Sequence, residues 1–159
     1  KNGKCGSKDN QSSKGNAFGS WFNCKYRRAT NRKSRRQTIN GIILDDNTMA
    51  NQAIKKAVLK GLEKYGIHKT DIKIFKGFEA CHIWEKTCYD ERYHTCVANL
   101  VLIPREIAGL TDHCDAVKEL LKYESFKRFG FKPDGENTPN EPKNYDMLTW
   151  RSTPTPPNP

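Results

Sequence analysis

The chain has 159 residues, 35% of them hydrophobic, with a mean hydropathy of −0.86 and a formal net charge of +10 at neutral pH. That length holds one ordinary domain with an arm or tail, and no apolar run approaches the roughly 18 residues a bilayer-spanning helix needs, so no membrane partner is expected. It opens on Lys1 rather than Met, as a fragment or a processed product does, and no leader peptide is visible in it.

The charge is segregated. Residues 1–40 hold eleven Lys/Arg against one acid, Asp9, whereas residues 41–159 hold seventeen bases and seventeen acids. A cationic segment of this kind favours a polyanion, because each phosphate it neutralises releases condensed counterions; the bland alternative is a solubilising tail. Residues 1–20 are polar and rich in Gly and Ser and read as a flexible leader. Trp21, Phe22 and Tyr26 then interleave with basic residues, and Arg27, Arg28, Arg32, Lys33, Arg35 and Arg36 come in quick succession. Aromatics beside such cations can stack on bases while the cations meet phosphates, or can anchor the segment on the core. The six basic residues are the expected nucleic-acid contacts.

Ile42, Ile43 and Leu44 form a short apolar run with strand character, and Asp45, Asp46 and Asn47 offer an N-cap to the next element. Residues 48–64 repeat apolar positions at helical spacing with lysines outside, and Gly66 is placed to end that scaffold helix. Residues 71–84 carry β-rich residues in partial alternation, and residues 97–103 read as a second strand that Pro104 ends, opening a helix at its first position. A further helix is expected from Asp115 to Phe129, capped by Asp112 or Asp115 and stopped at Gly130. Beyond Lys132 the chain is irregular and Pro-rich, an extended strap that Tyr145, Leu148 and Trp150 would pin down. Six cysteines, at 5, 24, 81, 88, 96 and 114, contain no CxxC pair, which disfavours a four-cysteine zinc site. Reduced thiols and a cytoplasmic location are expected.

The chemistry-bearing stretch is residues 78–113. His82 stands in ACHIW at the end of the first strand, Asn99 opens NLVLIP in the second, and Asp112–His113 lie beyond it. Phosphodiester hydrolysis needs a base for water, a group to orient that base, and a cation to stabilise charge on the leaving oxygen. Over residues 72–129 the chain resembles the HNH endonuclease superfamily, the ββα-metal fold, through ACHIW, ANLVLIPRE and LTDH. The resemblance implies His82 as general base and Asn99 as the residue that orients it. It departs from the family pattern at Cys81, where an acidic or His ligand is usual, and at Ala108, where the third position falls; Asp112, one helical turn further, and His113 are the replacements. Thiolate suits zinc better than magnesium. Glu79 shares a strand face with Cys81 and is another candidate oxygen ligand. In the intervening loop Arg92 could grip the scissile phosphate with both arms, and His94 is either a further ligand or a histidine without a role. For Cys81 a small buried hydrophobe is the plain alternative.

The expected fold class is therefore α+β: a ββα-metal, HNH-like core over residues 41–132, a basic nucleic-acid-binding arm over 1–40, a scaffold helix, and a C-terminal strap over 133–159. The expected function is metal-dependent hydrolysis of DNA, with RNA as an alternative substrate, by an endonuclease using Mg²⁺, Mn²⁺ or Zn²⁺; a restriction or defence role fits a small nuclease with its own DNA-gripping arm. A palindromic target would require a homodimer. Two other readings compete: a nucleic-acid-binding protein that keeps the fold without catalysis, and a secreted, disulfide-linked basic toxin.

Overall fold

A computed structural model describes residues 25–63, 66 and 73–148. The leader, Trp21, Phe22 and Trp150 lie outside the described residues. The fold is mixed α+β, with two small sheets and three helices among those residues.

The first sheet has the order β1-β3-β2, from β1 (Tyr26–Arg28), β2 (Thr38–Ile39) and β3 (Ile42–Asp45). β1 runs parallel to β3, with Arg28 opposite Asp45, and β2 runs antiparallel to it. The β2–β3 turn is Asn40–Gly41, with φ of 51° and 80°. Two successive left-handed residues match the twist of a two-residue hairpin, and Asn-Gly tolerates them best. Residues 26–28 and 38–39 of the basic segment thus pair with β3, and a boundary at residue 40 would cut through this sheet. Between β1 and β2, residues 32–34 form one 3₁₀ turn, closed by the Asn31 side chain accepting from the Ser34 amide at 2.9 Å.

α1 (Thr48–Leu62) starts where two acids satisfy its free amides. Asp45 Oδ2 accepts from Met49 N–H at 2.9 Å, and Asp46 Oδ1 from Thr48 N–H at 3.3 Å. Its buried residues, Ala50, Ile54, Ala57 and Leu59, keep to the helical period. Ala50 and Ile54 meet Ala80 and Leu100 in the central cluster, where two alanines let the helix sit close to the second sheet.

That sheet is an antiparallel pair, β4 (Phe78–His82) and β5 (Leu100–Pro104), in register from Phe78 opposite Pro104 to His82 opposite Leu100. The strand expected over 71–84 is this shorter β4. Residues 97–99 form a 3₁₀ turn before β5, and Pro104 is both the last residue of β5 and the N-cap of the 3₁₀ turn that follows. At Ala80, α1 and the residue before it supply side-chain partners to the β4 backbone: Asn51 Oδ1 accepts from Ala80 N–H at 3.0 Å, and Asn47 Nδ2 donates to Ala80 C=O at 2.9 Å. Two asparagines thereby satisfy backbone groups that would otherwise invite a further strand. After β5 come a 3₁₀ turn at residues 105–107, the short α2 (Leu110–His113) and α3 (Asp115–Phe129). α3 ends at Gly130, whose φ of 64° is the left-handed conformation glycine adopts at least cost. No Asp side chain caps its start; the residue there is Cys114. The Ser125 hydroxyl donates to Ala98 C=O, docking α3 against the turn that leads into β5. Of the expected strap anchors, Tyr145 is buried and its hydroxyl donates to Glu124, whereas Leu148 is exposed.

Candidate active site

His82 ends β4, on the same face as Ala80, which is turned toward α1. Its Nε2 lies 2.9 Å from the backbone carbonyl of His94. A carbonyl only accepts, so Nε2 carries the proton and Nδ1 keeps the lone pair. The ring also stacks on that of His94, with centroids 5.2 Å apart and planes 13° from parallel. Burial, opposed by the His94 carbonyl and assisted by the nearby Arg28 charge, lowers the His82 pKa to about 4. The imidazole is therefore neutral at physiological pH.

His94 is fully buried and its Nε2 lies 2.9 Å from Asp45 Oδ2. Burial alone would raise the Asp45 pKa, but hydrogen bonds from His94 and from the Met49 amide outweigh it and hold the carboxyl below its usual range. One carboxylate therefore starts α1 and also fixes the histidine on which His82 rests. Asp45 takes the Nε2 of His94, while the buried Nδ1 of that ring has no hydrogen-bond partner among the described residues.

Asn99 is also fully buried; its hydrogen bonds go to residues other than His82. Its Oδ1 accepts from Trp84 N–H at 3.2 Å, while Nδ2 donates to Thr87 Oγ1 at 2.8 Å and to Tyr93 C=O at 3.2 Å. These bonds use three of the four an amide side chain can make, and they hold both limbs of the loop between β4 and β5. Tyr93 precedes His94, the residue whose carbonyl holds the His82 ring. Asn99 and His82 therefore hydrogen-bond the carbonyls of two successive residues.

The other face of β4 carries Glu79 and Cys81. Burial raises the Cys81 thiol pKa, opposed by Thr111 of α2 and assisted by the carboxylates Glu79 and Asp112. Asp112 is exposed and acts electrostatically on both Cys81 and Cys88. Glu79 is ion-paired with Arg105 at 3.3 Å, and His113 is exposed. Of the expected ligand set, Glu79 and Asp112 both act electrostatically on Cys81, Glu79 the more strongly, and Glu79 also pairs with Arg105. Ala108 is buried, and its carbonyl accepts from the Thr111 hydroxyl at 2.8 Å.

Arg92 differs most from expectation. Its guanidinium makes ion pairs of 2.6 Å with both Asp90 and Asp134, tying the loop to the strap. Both arms meet carboxylates here, and the side chain is about half exposed. A positive charge near the site comes from β1: Arg28 is exposed, and its charge acts on Cys81, Cys88 and His82. Of its neighbours on the basic segment, Arg32, Lys33, Arg35 and Arg36 lie in and around the 3₁₀ turn before β2.

No group of three or more His, Cys, Asp or Glu among the described residues is arranged to hold a metal ion. A hard divalent cation is commonly bound by one or two carboxylates together with substrate phosphate and water. Asp112, exposed and near enough to act on the charge of Cys81, fits that sparser mode, and the half-buried sulfur is a softer donor. Among the described residues Cys81, Cys88, Cys96 and Cys114 are all free thiols. Among those residues, too, no helix is long and apolar enough to cross a membrane. Comparison of the chain with protein-family models, with curated proteins and with solved structures gives no match.

Proposed function

We propose that this chain is a metal-dependent endonuclease of the ββα-metal, HNH type, hydrolysing DNA phosphodiester bonds in a restriction or defence setting. The observation that carries the reading is the posture of His82: a neutral imidazole whose Nε2–H is fixed by the His94 carbonyl, leaving Nδ1 as the proton acceptor, in a loop that Asn99 holds. Nδ1 takes a proton from water as the water oxygen bonds to phosphorus and the P–O3′ bond breaks. The Arg28 guanidinium, whose charge reaches His82, balances the phosphate charge beside that base. A divalent ion held by Asp112 with Cys81 would supply stabilisation of the charge developing on the leaving oxygen. Arg32, Lys33, Arg35 and Arg36 grip backbone phosphates on either side.

The test uses supercoiled plasmid with Mg²⁺, Mn²⁺, Ni²⁺ or Zn²⁺. Wild type nicks it; His82→Ala, shown folded by circular dichroism, does not, and binds DNA nearly as well. Nicking at the wild-type rate by His82→Ala would remove the assignment. Tight binding by wild type with no nicking under any metal favours instead the non-catalytic DNA-binding reading, to which the alanine at position 108 already points.

A further inference from the structure

A cleft of ≈ 440 Å³ opens between α1 and the end of the β4–β5 hairpin remote from His82. α1 contributes Gln52, Lys55 and Lys56, and the hairpin end contributes Phe78 and Arg105. Its two carboxylates are already engaged: Glu79 pairs with Arg105 at 3.3 Å, and Asp46 accepts from the Thr48 hydroxyl at 2.5 Å. Lys55 and Lys56 have no ion-pair partner among the described residues, and the exposed Gln52 amide has no hydrogen-bond partner among them. The cleft therefore combines a ring edge or face at Phe78, an amide able to both donate and accept, and two uncommitted ammonium groups.

Those are the parts a nucleotide needs: an aromatic surface for the base, an amide for the base edge, and cations for the phosphate. The volume lies in the range of small-ligand sites. Phe78 and His82 are on the same face of β4, four residues and so about 13 Å apart. At the ~3.4 Å rise of stacked bases, that separation is no more than about four nucleotides. We propose that this cleft binds one nucleotide unit, belonging to the strand whose phosphate lies at His82. The cleft's composition stands by itself; its place on a strand rests on the nuclease reading.

Two measurements test this, both in EDTA so that no cleavage occurs. A 5′-deoxymononucleotide and a single-stranded decanucleotide are each titrated into ¹⁵N-labelled protein, and the decanucleotide carrying a fluorophore is also titrated by anisotropy against wild type, Lys55→Glu/Lys56→Glu and Phe78→Leu. The expected result is a set of amide shifts at Gln52, Phe78 and Arg105. The decanucleotide should bind about tenfold more weakly to the charge-reversed protein, and at least about fivefold more weakly to Phe78→Leu, which keeps the charge and loses the ring. Cleft shifts with the mononucleotide but no decanucleotide binding by wild type would uphold a free-nucleotide site and overturn its place on a strand. Shifts seen only with the decanucleotide would uphold a strand site. Equal decanucleotide affinity for all three proteins, or no shift at Phe78 with either probe, would overturn the proposal.

Discussion

Replacing Asn99 by alanine tests the link between the loop and the base. The side chain is fully buried and makes three hydrogen bonds, so its truncation leaves partners that bulk water does not reach. The partners differ in what they lose. Thr87 Oγ1 still donates to Trp84 C=O at 2.5 Å, and Tyr93 C=O still accepts from the Cys96 amide at 3.1 Å. The Trp84 amide, which donates to Asn99 Oδ1, is left orphaned in a buried position. One orphaned donor costs ~1–3 kcal/mol, and each of the two other lost bonds costs about 1 kcal/mol. Asn99→Ala should therefore destabilise the fold by roughly 3–5 kcal/mol, well above the ~1 kcal/mol typical of point substitutions. Urea unfolding followed by circular dichroism measures the loss. The second readout is the Nε2 proton of His82, which should exchange slowly with water in wild type because the His94 carbonyl holds it. In Asn99→Ala, at temperatures where the protein is still folded, that proton should exchange rapidly and plasmid nicking should fall with it. A variant within about 1 kcal/mol of wild type, with the His82 proton still protected, would refute the coupling through Tyr93–His94.

Acidification tests the second carboxylate-anchored link. Asp45 has a folded-state pKa below its unfolded value of about 3.9, so its contribution to stability is complete above that pH and is lost as pH falls through the folded value. Wild type should therefore lose stability on acidification below about pH 4, and Asp45→Asn, less stable at neutral pH, should lose less over that interval; parallel acid-unfolding curves for the two proteins would contradict this. Arg92→Ala should leave DNA affinity nearly unchanged and cost at most about 1 kcal/mol, because its exposed pairs are screened by solvent. Replacing Arg32, Lys33, Arg35 and Arg36 by alanine should instead weaken binding and flatten its salt dependence by up to about four units of slope in a log–log plot; an unchanged salt slope would exclude the basic turn as a phosphate-binding surface.

Much of the scaffold was legible in local pattern. The apolar period over residues 48–64 corresponds to α1, and that over 115–129 to α3 with Gly130 as its stop. The β4–β5 pair could be read from two β-rich runs, though their ends shifted, because strand ends depend on where pairing stops. The β2–β3 hairpin at Asn40–Gly41 was not among the expected elements, although its two residues suit the turn. The residues that support His82 left no such trace. Asp45 and His94 stand 49 positions apart, and Asp45 was readable only as a helix cap. Arg28 and Arg92 are the same residue type in polar surroundings, and only the position of Asp90 and Asp134 makes one of them a clasp.

By itself, the order of residues determined what neighbours in the chain decide together: helical periods, turn chemistry, and the concentration of positive charge in the first forty positions. Tertiary structure alone decided which polar groups are removed from water as a set, and so made Asp45, His94, His82 and Asn99 into one connected unit. The reason is physical: a side chain's proton affinity and hydrogen-bond role depend on desolvation and on partners brought in from distant segments, and neither is fixed until the chain closes around them.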